Sequence, residues 1–165
     1  MRFSARSISL HSVLIALSLA ISVFEGMLPA SFIPLPGVKL GLANIITLYA
    51  VYSLGARSAV IILVCRCVLA SLFGGGVTSL VFSLFGGIFA VFAMIFSKRL
   101  KCISIFGVSI LGSAFHSFGQ IIAACIMLRS AATVYYLPIM LFTSVFTGAF
   151  TALCARFLIE RIKNV

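Results

Sequence analysis

Aspartate is absent from the 165 residues of this chain, and only Glu25 and Glu160 carry negative charge. Metal-assisted phosphoryl or prenyl transfer gathers several carboxylates around Mg²⁺. Glycoside hydrolysis needs two acids flanking one bond. Two glutamates near opposite ends of the chain supply neither, so no catalytic constellation and no metal or cofactor site is expected. The GxxxxGK[ST] phosphate loop is also missing, which excludes self-contained ATP hydrolysis. The five cysteines (65, 67, 102, 125 and 154) form no CxxC pair. Cys65 and Cys67 fall on different sides of a helix and read as small apolar packing residues. Charged residues make up 8% of the chain, against roughly 25% in soluble domains.

Apolar residues are abundant instead, at 63%. That excess rules out a disordered basic tail. The net charge of +10 suggests nucleic acid, but the basic residues stand scattered between apolar runs rather than clustered on one face. The composition is that of an all-α polytopic membrane protein, a single transmembrane domain over residues 1–165. Hydropathy divides it into six spans, at 8–27, 39–54, 58–73, 77–97, 103–127 and 135–159. The second and third are short for a hydrocarbon core of ~30 Å. A re-entrant hairpin would place Arg57 deep in lipid at a cost of a few kcal/mol, so two short full spans are preferred.

Charge orients these spans. Arg2, Arg6, Arg57, Lys98, Arg99, Lys101, Arg156, Arg161 and Lys163 fall on one side if the spans alternate. The positive-inside rule makes that side cytoplasmic, with both termini there. The apolar stretch after Arg6 is long for a signal peptide and carries Glu25 near its end, so an uncleaved first helix is expected.

Three basic residues remain. Lys39 and Arg129 lie near outer span ends, where they can snorkel to the interface. Arg66 sits halfway along the third span, and a lipid-facing Arg at that depth costs ~2.5–3.5 kcal/mol. It is expected to face the bundle interior, against Glu25, against a ligand, or both. On the fifth span Gly112, His116 and Gln120 share one helix face by four-residue spacing, beside a stripe of Ser109, Ser113 and Ser117. Such groups often only hydrogen-bond to the next helix. Asn44, Thr47, Arg66, His116, Gln120 and Glu25 nevertheless all fall at mid-membrane or in the outer half. A cavity open to the outside, lined by them, accounts for the whole set.

Small residues form ladders at Ser12–Ala16–Ala20 and Ser144–Gly148–Ala152, with a GxxxG at Gly37–Gly41. Such faces let helices approach closely, within the chain or, for the first helix, against another protein. Ser-Leu-Phe-Gly-Gly occurs twice, at 71–75 and 83–87, at two places where helices pack closely or turn. Between 28 and 38, Pro29, Pro34 and Pro36 hold the chain extended, as a rigid cap over a cavity would require.

The segment Pro-Leu-Pro-Gly-Val-Lys-Leu-Gly-Leu-Ala-Asn at 34–44 resembles the heptaprenyl diphosphate synthase component I, or Gx transporter, family of small bacterial membrane proteins. Arg66 with Leu-Phe-Gly-Gly at 72–75, Ser83–Gly87, His116 with Gly119-Gln120, and Tyr135-Tyr136-Leu-Pro138 extend the resemblance over nearly the whole chain. Ser117 replaces an Asn of the pattern, and a less typical Thr-Ser-Val-Phe-Thr run precedes Gly148. At the level of six spans the family is similar to the substrate-binding components of energy-coupling-factor transporters. Those dock a membrane coupling protein through an Ala-xxx-Ala face on their first helix, where Ala16 and Ala20 stand here. The resemblance implies a multi-pass protein of the bacterial cell membrane that captures a small, anionic or cofactor-like molecule from outside. Asn44, Arg66, His116, Gln120, Lys39 and Glu25 would bind it, and a coupling protein and ATPase subunits would supply energy. The alternative is a non-catalytic accessory subunit to a prenyl synthase. A structural role in a larger membrane complex is the third reading.

Overall fold

The computed structural model describes residues 5–27, 38–100 and 102–163. Arg2, Lys101 and the proline-rich cap up to Gly37 lie outside them. Six α-helices follow one another: α1 (Ala5–Met27), α2 (Asn44–Ser53), α3 (Ala56–Ala70), α4 (Gly76–Arg99), α5 (Ile105–Leu128) and α6 (Leu137–Lys163). Among the described residues there is no β-strand. Among the described residues four stretches are long and apolar enough to cross a membrane: Ser7–Met27, Ala56–Arg99, Ile105–Leu128 and Ala131–Ile162.

The expected second span is where the structure departs most from the hydropathy pattern. The helix begins only at Asn44 and has ten residues, about 15 Å at 1.5 Å per residue, too short to cross the apolar core. Residues Asn44 to Val51 are all buried. A helix apolar on every side belongs in the interior, and α2 is buried against α1, α3, α4 and α6. The expected third and fourth spans are two helices, α3 and α4, that pack against each other across a short non-helical segment. A wide-turn segment, Ser71–Gly75, joins α3 to α4, and Gly74 (φ 104°) and Gly76 (φ 63°) supply the left-handed backbone that turns the chain back. The first Leu-Phe-Gly-Gly is therefore a turn.

The second is a packing site. A Cβ on Gly87 would lie 2.4 Å from Leu63 of α3. Partners recede along α4 as the chain advances along α5, so these two helices are antiparallel. Gly112 lies over Met94, His116 over Gly86, and Gly119 over Phe85. The serine stripe faces α6 instead: Ser109 donates to the Gly148 carbonyl at 2.7 Å and Ser117 to that of Met140 at 3.4 Å. The two stripes on α5 thus serve two different neighbours, one on each side.

The main apolar core joins Leu14, Ile46, Leu48, Ile62, Leu63, Val91, Met94, Val108 and Ala155. Leu10, Leu54, Ile95, Ile103 and Leu158 extend it toward one end of the bundle. At that end Lys98 donates to the Val51 carbonyl at 2.8 Å and covers the Tyr52 ring. The start of α1 and the end of α6 lie there too. Lys39, Glu25 and the α3–α4 turn mark the opposite, polar end.

Gly119 tests this packing. A Cβ there would meet the Phe85 carbonyl oxygen at 2.5 Å, whereas one on Gly26 meets nothing within 4 Å. Gly119→Ala should destabilise the protein by about 1–3 kcal/mol, read as a lowered thermal midpoint in detergent. Gly26→Ala should leave the midpoint nearly unchanged.

Candidate functional site

The polar end is built from five helices, α1 to α5, and the segment before α2. The α1 face that points inward carries Leu14, Ser18, Ser22 and Glu25, each almost fully buried. Their spacing of three and four residues places them on one side of the helix. Ser12, Ala16 and Ala20 are exposed, so the α1 ladder points away from the bundle. On α6, Ser144, Gly148 and Ala152 are buried, and Gly148 packs against Ile110 of α5. One ladder is consumed by intramolecular packing, and the other is left uncovered among the described residues.

Glu25, the single acid at this end, accepts a hydrogen bond from the Gly41 amide. Gly41 has φ +84°, a left-handed conformation that L side chains avoid. The space a Cβ would need is already occupied, by Asn44 Nδ2 at 3.0 Å and by the His116 ring at 3.0–3.1 Å. Glycine at 41 is thus required twice, for backbone conformation and for close approach. It brings α1, α2 and α5 to one point.

His116 also lies against Gly86 of α4, where a Cβ would come within 2.7 Å of its ring and 3.0 Å of Gln120 Cγ. Asn44, Gly41, His116, Gly86 and Gln120 therefore form one continuous locus. Arg66, 4% exposed, lies on α3 between Leu63, which packs on Gly87, and Ala70, which lines the cavity at this end. An ion pair between Glu25 and Arg66 is not formed; among the described residues the ion pair made is Arg156–Glu160 at 2.8 Å. The Glu25 carboxylate serves a backbone amide instead.

Lys39 does not snorkel. Its ammonium donates to Ser79 Oγ at 2.9 Å and Ser83 Oγ at 3.3 Å, both on α4. Ser79 is the site residue that sequence patterns left unmarked, while Gly41, Ser83 and Gly86 were marked there only for helix packing or resemblance. Lys39, Glu25, Ser22, Ala70, Gly75 and Ser79 line a cavity of about 430 Å³ at this end. Arg66 lies one helical turn from Ala70 on α3, on the same face and deeper in the bundle.

Several buried polar atoms in this locus make no hydrogen bond: both amide atoms of Asn44 and of Gln120, Thr47 Oγ1, and Arg66 Nε and Nη2. Buried polar groups are bonded in the large majority of cases, and each exception needs a reason. Among the described residues this locus holds a single carboxylate, Glu25.

The two glutamates should respond differently to removal. Glu25→Ala leaves the buried Gly41 amide without an acceptor and should lower stability by about 1–3 kcal/mol. Glu160→Ala breaks an exposed i,i+4 pair and should cost no more than about 0.5 kcal/mol. Thermal or denaturant melts of the two variants check the contrast.

Curated proteins and solved structures give no match. The family model of heptaprenyl diphosphate synthase component I matches residues 14–158, a stretch that runs from α1 into α6 and contains Asn44, Arg66, His116 and Gln120. The chain belongs to the heptaprenyl diphosphate synthase component I family.

Proposed function

We propose that this chain is a membrane-embedded, non-catalytic accessory subunit that works with a separate prenyl diphosphate synthase subunit. The family match over residues 14–158 carries this reading. Acid chemistry supports the division of labour: Glu25 is committed to Gly41 and Glu160 to Arg156, so Mg²⁺-binding carboxylates must come from the partner. In this reading the protein crosses the bacterial cell membrane several times, with both termini cytoplasmic. The end carrying Arg57, Lys98, Arg99, Arg156 and Arg161 meets the cytoplasm, where positive loops concentrate and where a soluble synthase would dock.

Two experiments test it. Affinity purification from native membranes should bring down a synthase subunit, and deletion should shorten the polyprenyl product; unchanged product and no synthase in the complex would sink the assignment. Orientation is read at Cys102, which is exposed between α4 and α5. A membrane-impermeant maleimide should label it in inverted vesicles and not in intact cells. The reverse pattern would place the basic end outside.

One observation favours a second reading, capture of a small molecule from the outer side. The unbonded Asn44, Arg66 and Gln120 atoms sit at the end that this orientation turns outward. In that case the exposed Ala16–Ala20 face of α1 would meet a coupling protein, and ATPase subunits would drive release. Accumulation of a labelled solute by cells, together with copurifying ATPase subunits, distinguishes this from the accessory role.

A further inference from the structure

We propose that the locus formed by Arg66, Asn44, Gln120 and His116 binds a small organic monoanion that also carries a hydrogen-bond donor and acceptor, such as a carboxylate beside an amide or ureido group. This deepens the capture reading and rests on it; the binding itself is compatible with an accessory role as well.

Charge selects the valence of the ligand. Inside the bundle at the polar end lie two cations, Lys39 and Arg66, and one acid, Glu25, whereas Arg129 at the end of α5 is exposed. Lys39 is shared between Ser79 and Ser83, and Glu25 is held by Gly41. One positive charge is left uncompensated, and an ionisable group in an apolar bundle is tolerated only with a partner. A single negative charge balances it. A diphosphate would leave the locus negative by one or more charges, a state as costly as the one it replaces.

Hydrogen bonding selects the rest. The free Nε and Nη2 atoms of Arg66 lie along one edge of the guanidinium. That edge presents two parallel donors, the geometry that matches the two oxygens of a carboxylate. Asn44 and Gln120 each keep an unbonded carbonyl oxygen and an unbonded NH₂. Whichever way each amide is turned, it offers one acceptor and one donor direction. Chloride would satisfy Arg66 and leave both carbonyl oxygens without donors. Water would satisfy the amides and leave the charge. A monoanion with its own N–H and C=O satisfies all three side chains.

Burial and access agree with this assignment. Asn44 and Gln120 are 1% and 0% exposed, so a bound group there is withdrawn from bulk water, where charge-assisted bonds are strongest. The 430 Å³ cavity between Glu25, Lys39 and the α3–α4 turn is lined by Ala70, one helical turn along α3 from Arg66, and by none of the four residues themselves. Phe73, Gly74 and Gly75 of the α3–α4 turn also line it, and Gly74 and the following Gly76 interrupt the helix there. Entry needs a rearrangement at that turn or of α1, not of the α4–α5 glycine contact.

The test uses the full chain in lipid nanodiscs with three probes: N-acetylglycinate, its neutral counterpart N-acetylglycinamide, and inorganic pyrophosphate. N-acetylglycinate should raise the thermal midpoint saturably, with little effect from the other two. Arg66→Gln should weaken it about ten- to a hundredfold, the worth of a charge-assisted bond. If Arg66→Gln does not fold, Gln120→Met and the charged-versus-neutral comparison on the unaltered protein decide. Equal stabilisation by the neutral amide, a larger effect of pyrophosphate, no stabilisation by any probe, or unchanged binding in Arg66→Gln would each overturn the proposal. Absence of solute uptake alongside selective N-acetylglycinate binding would remove the capture reading and leave the site. Uptake of a solute without N-acetylglycinate binding would do the opposite.

Discussion

The hydrogen bond from the Gly41 amide to the Glu25 carboxylate joins the parts of this protein that matter most. A carboxylate in an apolar bundle is expensive unless it is bonded, and an irregular backbone segment there has amides that no helix satisfies. Each solves the other's problem. The bond ties α1 to the entry of α2, and the positive φ of Gly41 brings that backbone against Asn44 and His116. Everything at the polar end is assembled around this point.

Two kinds of surface on α5 then divide the interior. Its glycines let α4 approach until backbone meets backbone, at Gly119 over Phe85. Its serines bond to carbonyls of α6. Packing satisfies the serines, yet it leaves Asn44, Gln120 and Arg66 with unbonded atoms. Polar groups that serve only helix association find partners across the interface, as the serines do. Those that do not are candidates for a ligand. Arg57, Lys98, Arg99, Arg156 and Arg161 sit at the other end of the bundle, so in the proposed function partner docking and ligand binding would use opposite ends.

Much of this was legible in residue order. Long apolar runs marked the helices to within a few residues, and the depth of Arg66 marked the buried locus. The failures have a common cause. Residues 39–43 are as apolar as a helix, but Gly41 holds them out of one, so α2 starts later and remains buried. Hydropathy sums side chains and is blind to a backbone turn. Lys39 near a span end looked free to reach the interface, and it turned inward because Ser79 and Ser83, forty residues and more away, offered oxygens.

Sequence alone determined that the chain is helical and apolar, that it lacks the acids for metal-assisted catalysis, and that one arginine lies too deep to be decorative. These follow from composition and from the cost of charge in an apolar medium. Tertiary structure decided which groups meet. Glu25 bonds a backbone amide rather than Arg66, one small-residue ladder is buried while the other is exposed, and the amides of Asn44 and Gln120 are brought to one place unbonded. Such pairings depend on where backbone atoms fall after helices pack, and no side-chain pattern encodes the position of an amide in a turn.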